Sequence, residues 1–269
     1  MKVLDRMILY PLKTPLIKPG DDLIEILMGT LEKERLNLEN GDVIVIAESA
    51  VATAQGRLRK LDDVVPSDKA RKMADRYEME SRIVEIILQE ADEIFGGMKK
   101  ILLTIKNGWF TANAGVDTSN APPGYVVLQP ERPEETAEQT KNDIEKRSGK
   151  KIGVIIADSR TIPLKKGVIG VALATAGIES VEDVRGRKDL FGRKLQVTFR
   201  AIADDMASAA QLLMGEADEQ TPAVLIRGAP VKLAKEPAEK MNMSPEECLY
   251  MNVFASHQNV KAHGKKDRS

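Results

Sequence analysis

Short runs of consecutive apolar residues, each closed by a polar or charged group, recur along the chain. Residues 7–10, 43–47, 152–157 and 223–226 are rich in Ile, Val and Leu with no polar alternation, the pattern of strands buried on both faces. Residues 101–105 and 109–113 flank Asn107-Gly108, a dipeptide that favours a two-residue hairpin turn. Residues 125–128 and 195–199 read as further short strands, and 168–176 as an apolar stretch of small residues. Helical signals lie between these runs. A helix of about a dozen residues follows Asp22, and Ser67 opens another that runs to about Arg76. Ser81 caps a third, with Ile83, Val84, Ile87 and Leu88 on its apolar face. Pro133 starts a helix dense in Glu and Lys that runs to about Arg147, and the Ala-rich residues 203–215 form the last. Gly96-Gly97 and Pro122-Pro-Gly read as breaks. Helices interleaved with strands and one hairpin imply a mixed α/β (α+β) fold. Residues 1–230 form the main domain. Residues 231–269 form a polar C-terminal extension, with a short helix capped by Ser244 and a disordered basic tail over 261–269.

The ends of the apolar runs carry the candidate chemistry. Residues 152–157 end in Asp158 and Ser159, at the expected mouth of a loop, and 43–47 end in Glu48 and Ser49. The second hairpin strand runs into a polar loop centred on Asp117, and Glu216 follows the last helix. Carboxylate and hydroxyl oxygens suit hard cations such as magnesium or manganese. Arg160, Lys165 and Lys166, and the basic turn with Arg187 and Arg193, supply charge for a phosphate or carboxylate. On the residues alone, an aspartate-capped turn followed by solvated lysines explains the 158–166 stretch as well, and spacing does not show that these loops meet.

Composition narrows the class. With a net charge of -1 and only 4% aromatic residues, the chain lacks the basic patch and stacking platform of a nucleic-acid binder. No apolar run is long enough to span a bilayer. Charges at Lys2, Asp5 and Arg6 argue against a signal peptide, and the lone Cys248 fits a reducing cytoplasm. Walker A, dinucleotide-fingerprint, zinc-helix and paired-cysteine motifs are absent. His257 and His263 are the only histidines, which disfavours histidine-based hydrolysis.

Several blocks, in order, resemble the coenzyme F420-0:L-glutamate ligase (gamma-glutamyl ligase) family. They are Pro15-Leu-Ile-Lys-Pro-Gly-Asp-Asp22, Gly41-Asp-Val43, Gly56-Arg57, Asn113-Ala-Gly-Val-Asp-Thr-Ser-Asn120, residues 149–158, residues 186–193, Leu212-Leu-Met-Gly-Glu216 and Val224-Leu-Ile-Arg-Gly228. The resemblance implies a mixed α/β fold in an intertwined homodimer. It also implies GTP-driven amide formation through an acyl phosphate, joining L-glutamate to the lactyl carboxylate of coenzyme F420-0. By position it makes Asp117, Asp158, Ser159 and Glu216 ligands of Mg2+ or Mn2+, with potassium as a further ion. Nucleotide contacts would fall on Thr14, Pro15, Leu16, Ile17, Glu48, Ser49, Thr53 and Asn120, and on Met214, Gly215, Glu216, Ala217, Asp218, Glu219, Gln220 and Thr221.

The chain departs from the family pattern within these blocks. Thr53 stands where the family carries a lysine, Glu48-Ser49 where it carries Ser-Thr, and Ser159 where a threonine is usual. The loop after Glu216 is acidic. Lost cations and added anions point to altered nucleotide or acid recognition. Two rivals to the glutamate ligase therefore stand: a paralogous ligase with another acid or amino acid, and a non-catalytic nucleotide-binding regulator.

Overall fold

The structure, a computed structural model, describes residues 6–234 and 241–251. Along the chain its strands are β1 (Ile8–Leu12), β2 (Val43–Ala47), β3 (Leu58–Lys60), β4 (Glu93–Met98), β5 (Ile101–Lys106), β6 (Trp109–Ala112), β7 (Tyr125–Val127), β8 (Gly153–Thr161), β9 (Val168–Ala176), β10 (Glu182–Asp183), β11 (Phe199–Arg200) and β12 (Ala223–Arg227). Its helices are α1 (Leu23–Lys33), α2 (Glu48–Ala54), α3 (Asp68–Tyr77), α4 (Ser81–Glu90), α5 (Pro133–Ser148) and α6 (Ile202–Met214). The arrangement is mixed α/β.

The main sheet has the order β1-β12-β2-β8-β9, and β2 with β8 is its one parallel pair. Its central strands are the continuous apolar runs: Val43, Ile44, Val45, Val154 and Ile155 are all fully buried, as strands covered on both faces must be. Ile44, Ile46, Val154 and Ile156 share one cluster with Leu27 and Leu31 of α1 and Ala137 and Ile144 of α5. Strand alternation turns Val43, Val45 and Ile155 the other way. Helix α6 packs across the sheet, touching β9, β12, β8, β2 and β1. It approaches so closely that a Cβ on Gly170 of β9 would collide with the Ala207 carbonyl oxygen, and the Ser208 hydroxyl donates to the Gly170 carbonyl at 2.7 Å. The small residues of α6 and β9 serve this contact.

A second cluster joins Ala70 and Ala74 of α3, Val84 and Ile87 of α4, Leu102 of β5 and Val126 of β7. Beside it β4, β5 and β6 form a three-stranded antiparallel sheet. Asn107 and Gly108 both have positive φ, 51° and 78°, and close the expected hairpin between β5 and β6.

Five local expectations are corrected. Strand β8 does not stop at Ala157. It continues to Thr161, because Asp158, Ser159, Arg160 and Thr161 pair with Val171, Gly170, Ile169 and Val168 of β9. Gly96 and Gly97 do not break the chain but lie within β4, where the register to β5 shifts between Ile94 and Gly96, a place that suits glycine. Ser81 is the first residue of α4, and Glu80 is its cap. Of residues 195–199 only Phe199 joins a strand, in the two-stranded β10–β11 ribbon. Ser244 and Pro245 open a turn, in which the Ser244 carbonyl accepts from the Glu247 and Cys248 amides, and among the described residues of this segment the backbone is helical at 249–251. The expected tail over 261–269 lies outside the described residues.

Residues 232–234 bond back to 177–179: the Glu179 amide donates to the Lys232 carbonyl at 3.0 Å and the Ala234 amide to the Gly177 carbonyl at 2.9 Å. The chain divides into two compact units, Met1–Glu239 and Lys240–Ser269.

Candidate functional site

The parallel pair β2–β8 sets the site. Ala47 is in register with Ala157, the last pair of the parallel ladder, so Glu48 and Asp158 follow where that pairing ends, at the C-terminal end of β2 and within β8. That is where open sheets present ligand-binding groups. Three loops close around them. The Thr14 amide donates to the Gln220 carbonyl at 3.3 Å and the Ala47 amide to the Pro222 carbonyl at 2.8 Å. The Asn120 amide nitrogen donates to the Ala217 carbonyl at 3.0 Å, and the Ser159 hydroxyl meets a Glu216 carboxylate oxygen at 3.1 Å. The result is an open cleft of about 410 Å³.

This cleft gathers Asp117, Asp158, Ser159 and Glu216 together with Thr14 to Ile17, Glu48, Ser49, Thr53, Asn120 and the whole segment from Met214 to Thr221. Arg160, Lys165, Lys166, Arg187 and Arg193 do not line it. Arg160 turns inward instead. Its guanidinium pairs with Asp158 at 3.3 Å, donates to the Phe110 carbonyl at 3.1 Å and sits 5.5 Å from the Trp109 ring centre. Lys165 and Lys166 are exposed in the β8–β9 connection, and Arg187 pairs with Glu182 at 2.6 Å.

Local geometry explains each position. Asp117 accepts the Ser119 amide at 2.9 Å and is bridged through its backbone to Val127, so one carboxylate oxygen closes its own turn. Gly215 has φ of 71°, and a Cβ there would run into the Glu219 side chain. Glu219 is folded over this glycine, accepting the Ala217 amide at 2.8 Å, and its backbone bonds hold its carboxyl below the usual range. Gln211, one turn before the end of α6, bonds Glu216. Sequence reasoning missed it, although Ala207, Gln211 and Met214 recur at the spacing of one helix face.

A family model described as F420-0:Gamma-glutamyl ligase matches residues 11–228. The chain belongs to the F420-0:gamma-glutamyl ligase family. Among its relatives, the protein named coenzyme F420:L-glutamate ligase from Methanopyrus kandleri is 43% identical over 220 residues, covering 81% of this chain and 85% of its own length. Proteins of the same name from Methanocaldococcus jannaschii and Archaeoglobus fulgidus are 39% identical over 244 residues and 38% identical over 224. They cover 90% and 83% of this chain, and 95% and 88% of their own lengths. No described helix is long and apolar enough to cross a membrane.

The electrostatics of this family member are one-sided. Six carboxylates line the cleft (Glu48, Asp117, Asp158, Glu216, Asp218 and Glu219), and among the described residues lining it there is no Lys, Arg or His. Burial, then the nearby Asp158 and Asp117, holds the Glu48 carboxyl well above its usual range, against the pull of Arg160 and Lys106. Burial raises Asp158 as well, opposed first by Arg160. The donor set suits a hard divalent cation, since it is all oxygen and includes a buried Glu48 oxygen, Oε2, with no hydrogen-bond partner. No three described His, Cys, Asp or Glu side chains stand close enough to enclose an ion by themselves. A cation held here by one or two side chains would complete its shell with hydroxyl, water or phosphate oxygens, as magnesium commonly does.

A raised carboxylate favours the unfolded chain as pH climbs. Below about pH 4, the unperturbed carboxylate range, Glu48 is neutral in both states. Above it the unfolded chain ionises freely while the folded one holds its proton, so stability falls with rising pH until the folded group titrates. In chelator, the thermal unfolding midpoint of Glu48→Gln is therefore expected to exceed that of the parent protein by more at pH 8 than at pH 5. An equal difference at both would show that the Glu48 charge carries no cost.

Proposed function

We propose that this chain forms an amide bond between the lactyl carboxylate of coenzyme F420-0 and the amine of L-glutamate, driven by GTP in the presence of Mg2+ or Mn2+. The observation that carries the reading is the convergence, where the parallel pairing of β2 with β8 ends, of the residues that the family resemblance assigns to metal and nucleotide. The description of the family model and the names of the relatives, which print F420-0, coenzyme F420 and L-glutamate, support this choice of acid and amine.

In this reading a carboxylate oxygen of the acid attacks the γ-phosphorus of GTP and GDP leaves. The glutamate nitrogen then attacks the acyl carbon, phosphate departs, and the nitrogen gives up its proton. Bound divalent cations would neutralise phosphate charge and hold the nucleotide in line. The Asp117 and Asp158 carboxylates, the Ser159 hydroxyl and Glu216 would hold them. The 14–17 and 214–221 segments, tied together through Thr14 and Gln220, would flank the nucleotide and exclude water from the reacting phosphate. An intertwined homodimer belongs to the same proposal. Leu190, Phe191 and Val197 are 100%, 85% and 82% exposed, in a segment whose β10–β11 ribbon has only two strands. Such side chains call for a covering partner.

The test is incubation of the purified protein with GTP, manganese, L-glutamate and coenzyme F420-0, following product mass and phosphate release. Addition of a glutamyl residue with one phosphate released per bond supports the reading. Turnover only with a different acid or amino acid would move the chain to a paralogous ligase. Tight nucleotide binding without turnover on any acid would make it a regulator.

A further inference from the structure

Glu48 is the most buried carboxylate of the cleft, at 9% exposure. It opens α2 directly after β2, one residue beyond the last parallel pair, Ala47 with Ala157, as Asp158 is on β8. Its Oε2 has no hydrogen-bond partner. A buried carboxylate oxygen left without a donor is costly. The nearby cations do not meet the cost. Arg160 is committed to Asp158 and the Phe110 carbonyl, and Lys106 to Glu90. Asp158 and Asp117 act on it as like charges.

A carboxylate facing a cleft that takes phosphates is not itself a phosphate contact, because like charges repel in a low-dielectric wall. Once ionised, as ligation of a metal requires, it can reach phosphate only through a cation. We infer that Glu48 is a cation-ligating residue of this chain, its Oε2 binding a divalent ion at the inner end of the cleft together with Asp158. The expectation that Glu48 touches the nucleotide directly is replaced by contact through the ion. With six carboxylates and no basic side chain among the described lining residues, metal supplies the positive charge that phosphates need here. Glu48, the deepest of the six, is the ligand that seats it. The inference rests on the cleft being the metal–nucleotide site proposed above.

The experiment separates the two claims. Mn2+ binding is followed by electron paramagnetic resonance, with and without a non-hydrolysable GTP analogue, for the parent protein, Glu48→Gln and Asp158→Ala. The expected result is a loss of Mn2+ affinity of at least about tenfold in Glu48→Gln, with the circular dichroism of the parent retained. If Glu48→Gln binds Mn2+ as tightly as the parent while Asp158→Ala is weakened, the role of Glu48 is overturned and the metal–nucleotide reading stands. A parent protein that binds no Mn2+ with or without the analogue overturns both. If Glu48→Gln does not fold, crystals of the parent protein soaked in Mn2+ decide through anomalous scattering. A peak at about 2.0–2.6 Å from a Glu48 oxygen, the range for oxygen ligands of hard cations, supports the assignment, and peaks confined to the other carboxylates overturn it.

Discussion

Replacing Asp158 with alanine is expected to lower metal-dependent nucleotide binding by at least about 100-fold while leaving the fold in place. The size follows from the metal chemistry, since even groups that only orient a ligand change affinity by about 10–100-fold when removed. The fold survives for structural reasons. Asp158 sits near the outer end of β8, where its backbone pairs with Val171 whatever its side chain. Its carboxyl is raised by burial, so removing it relieves a desolvated charge. Arg160 keeps the Phe110 carbonyl and the Trp109 ring as partners. Calorimetric titration with a GTP analogue and Mn2+, paired with thermal unfolding in chelator, reads both effects. Unchanged binding would remove Asp158 from the site. Collapse of the fold would make its role structural.

The second large effect lies at the opposite end of the same strands. Asp42 is 1% exposed and receives a two-pronged bond from Arg227 at 3.0 and 2.8 Å. It also accepts the Glu39 amide at 2.8 Å. Arg227, the last residue of β12, donates further to the Asn37 carbonyl at 2.6 Å and pairs with Glu39 at 2.8 Å. This knot pins β12 to the loop that enters β2. Truncating Arg227 to alanine leaves Asp42 buried and unpaired, which typically costs about 3–5 kcal/mol. Urea unfolding of Arg227→Ala is expected to show a loss of that order. A loss below about 1 kcal/mol, the scale of an exposed pair, would mean that water replaces the guanidinium.

The sequence is most readable where a single local rule governs. The apolar run 43–47 forms β2 with its bounds unchanged, and the Asn107-Gly108 turn forms because both positions adopt the positive φ that such hairpins need. It is least readable where a distant partner decides. Asp158 to Thr161 look like a loop because they are polar, yet β9 supplies each with a cross-strand neighbour. Residues 195–198 have strand composition but no sheet beside them within the described residues, and Val197 among them faces outward.

The candidate site divides the same way. Glu48, Asp117, Asp158 and Glu216 are each visible as a carboxylate after an apolar run or helix, and the family blocks link them. Their one-sided charge is not visible, because Arg160 and the lysines after it are near in sequence but lie outside the cleft. The burial of Glu48 is hidden too, since it depends on the parallel pairing of β2 with β8, which is remote in sequence.

The central claim is that this cleft accepts a polyphosphate only together with cations. It is tested most directly by titrating the GTP analogue into the parent protein with excess Mn2+ and again with chelator. The account predicts saturable binding in the first titration and none measurable in the second. Binding of equal strength in both would contradict it.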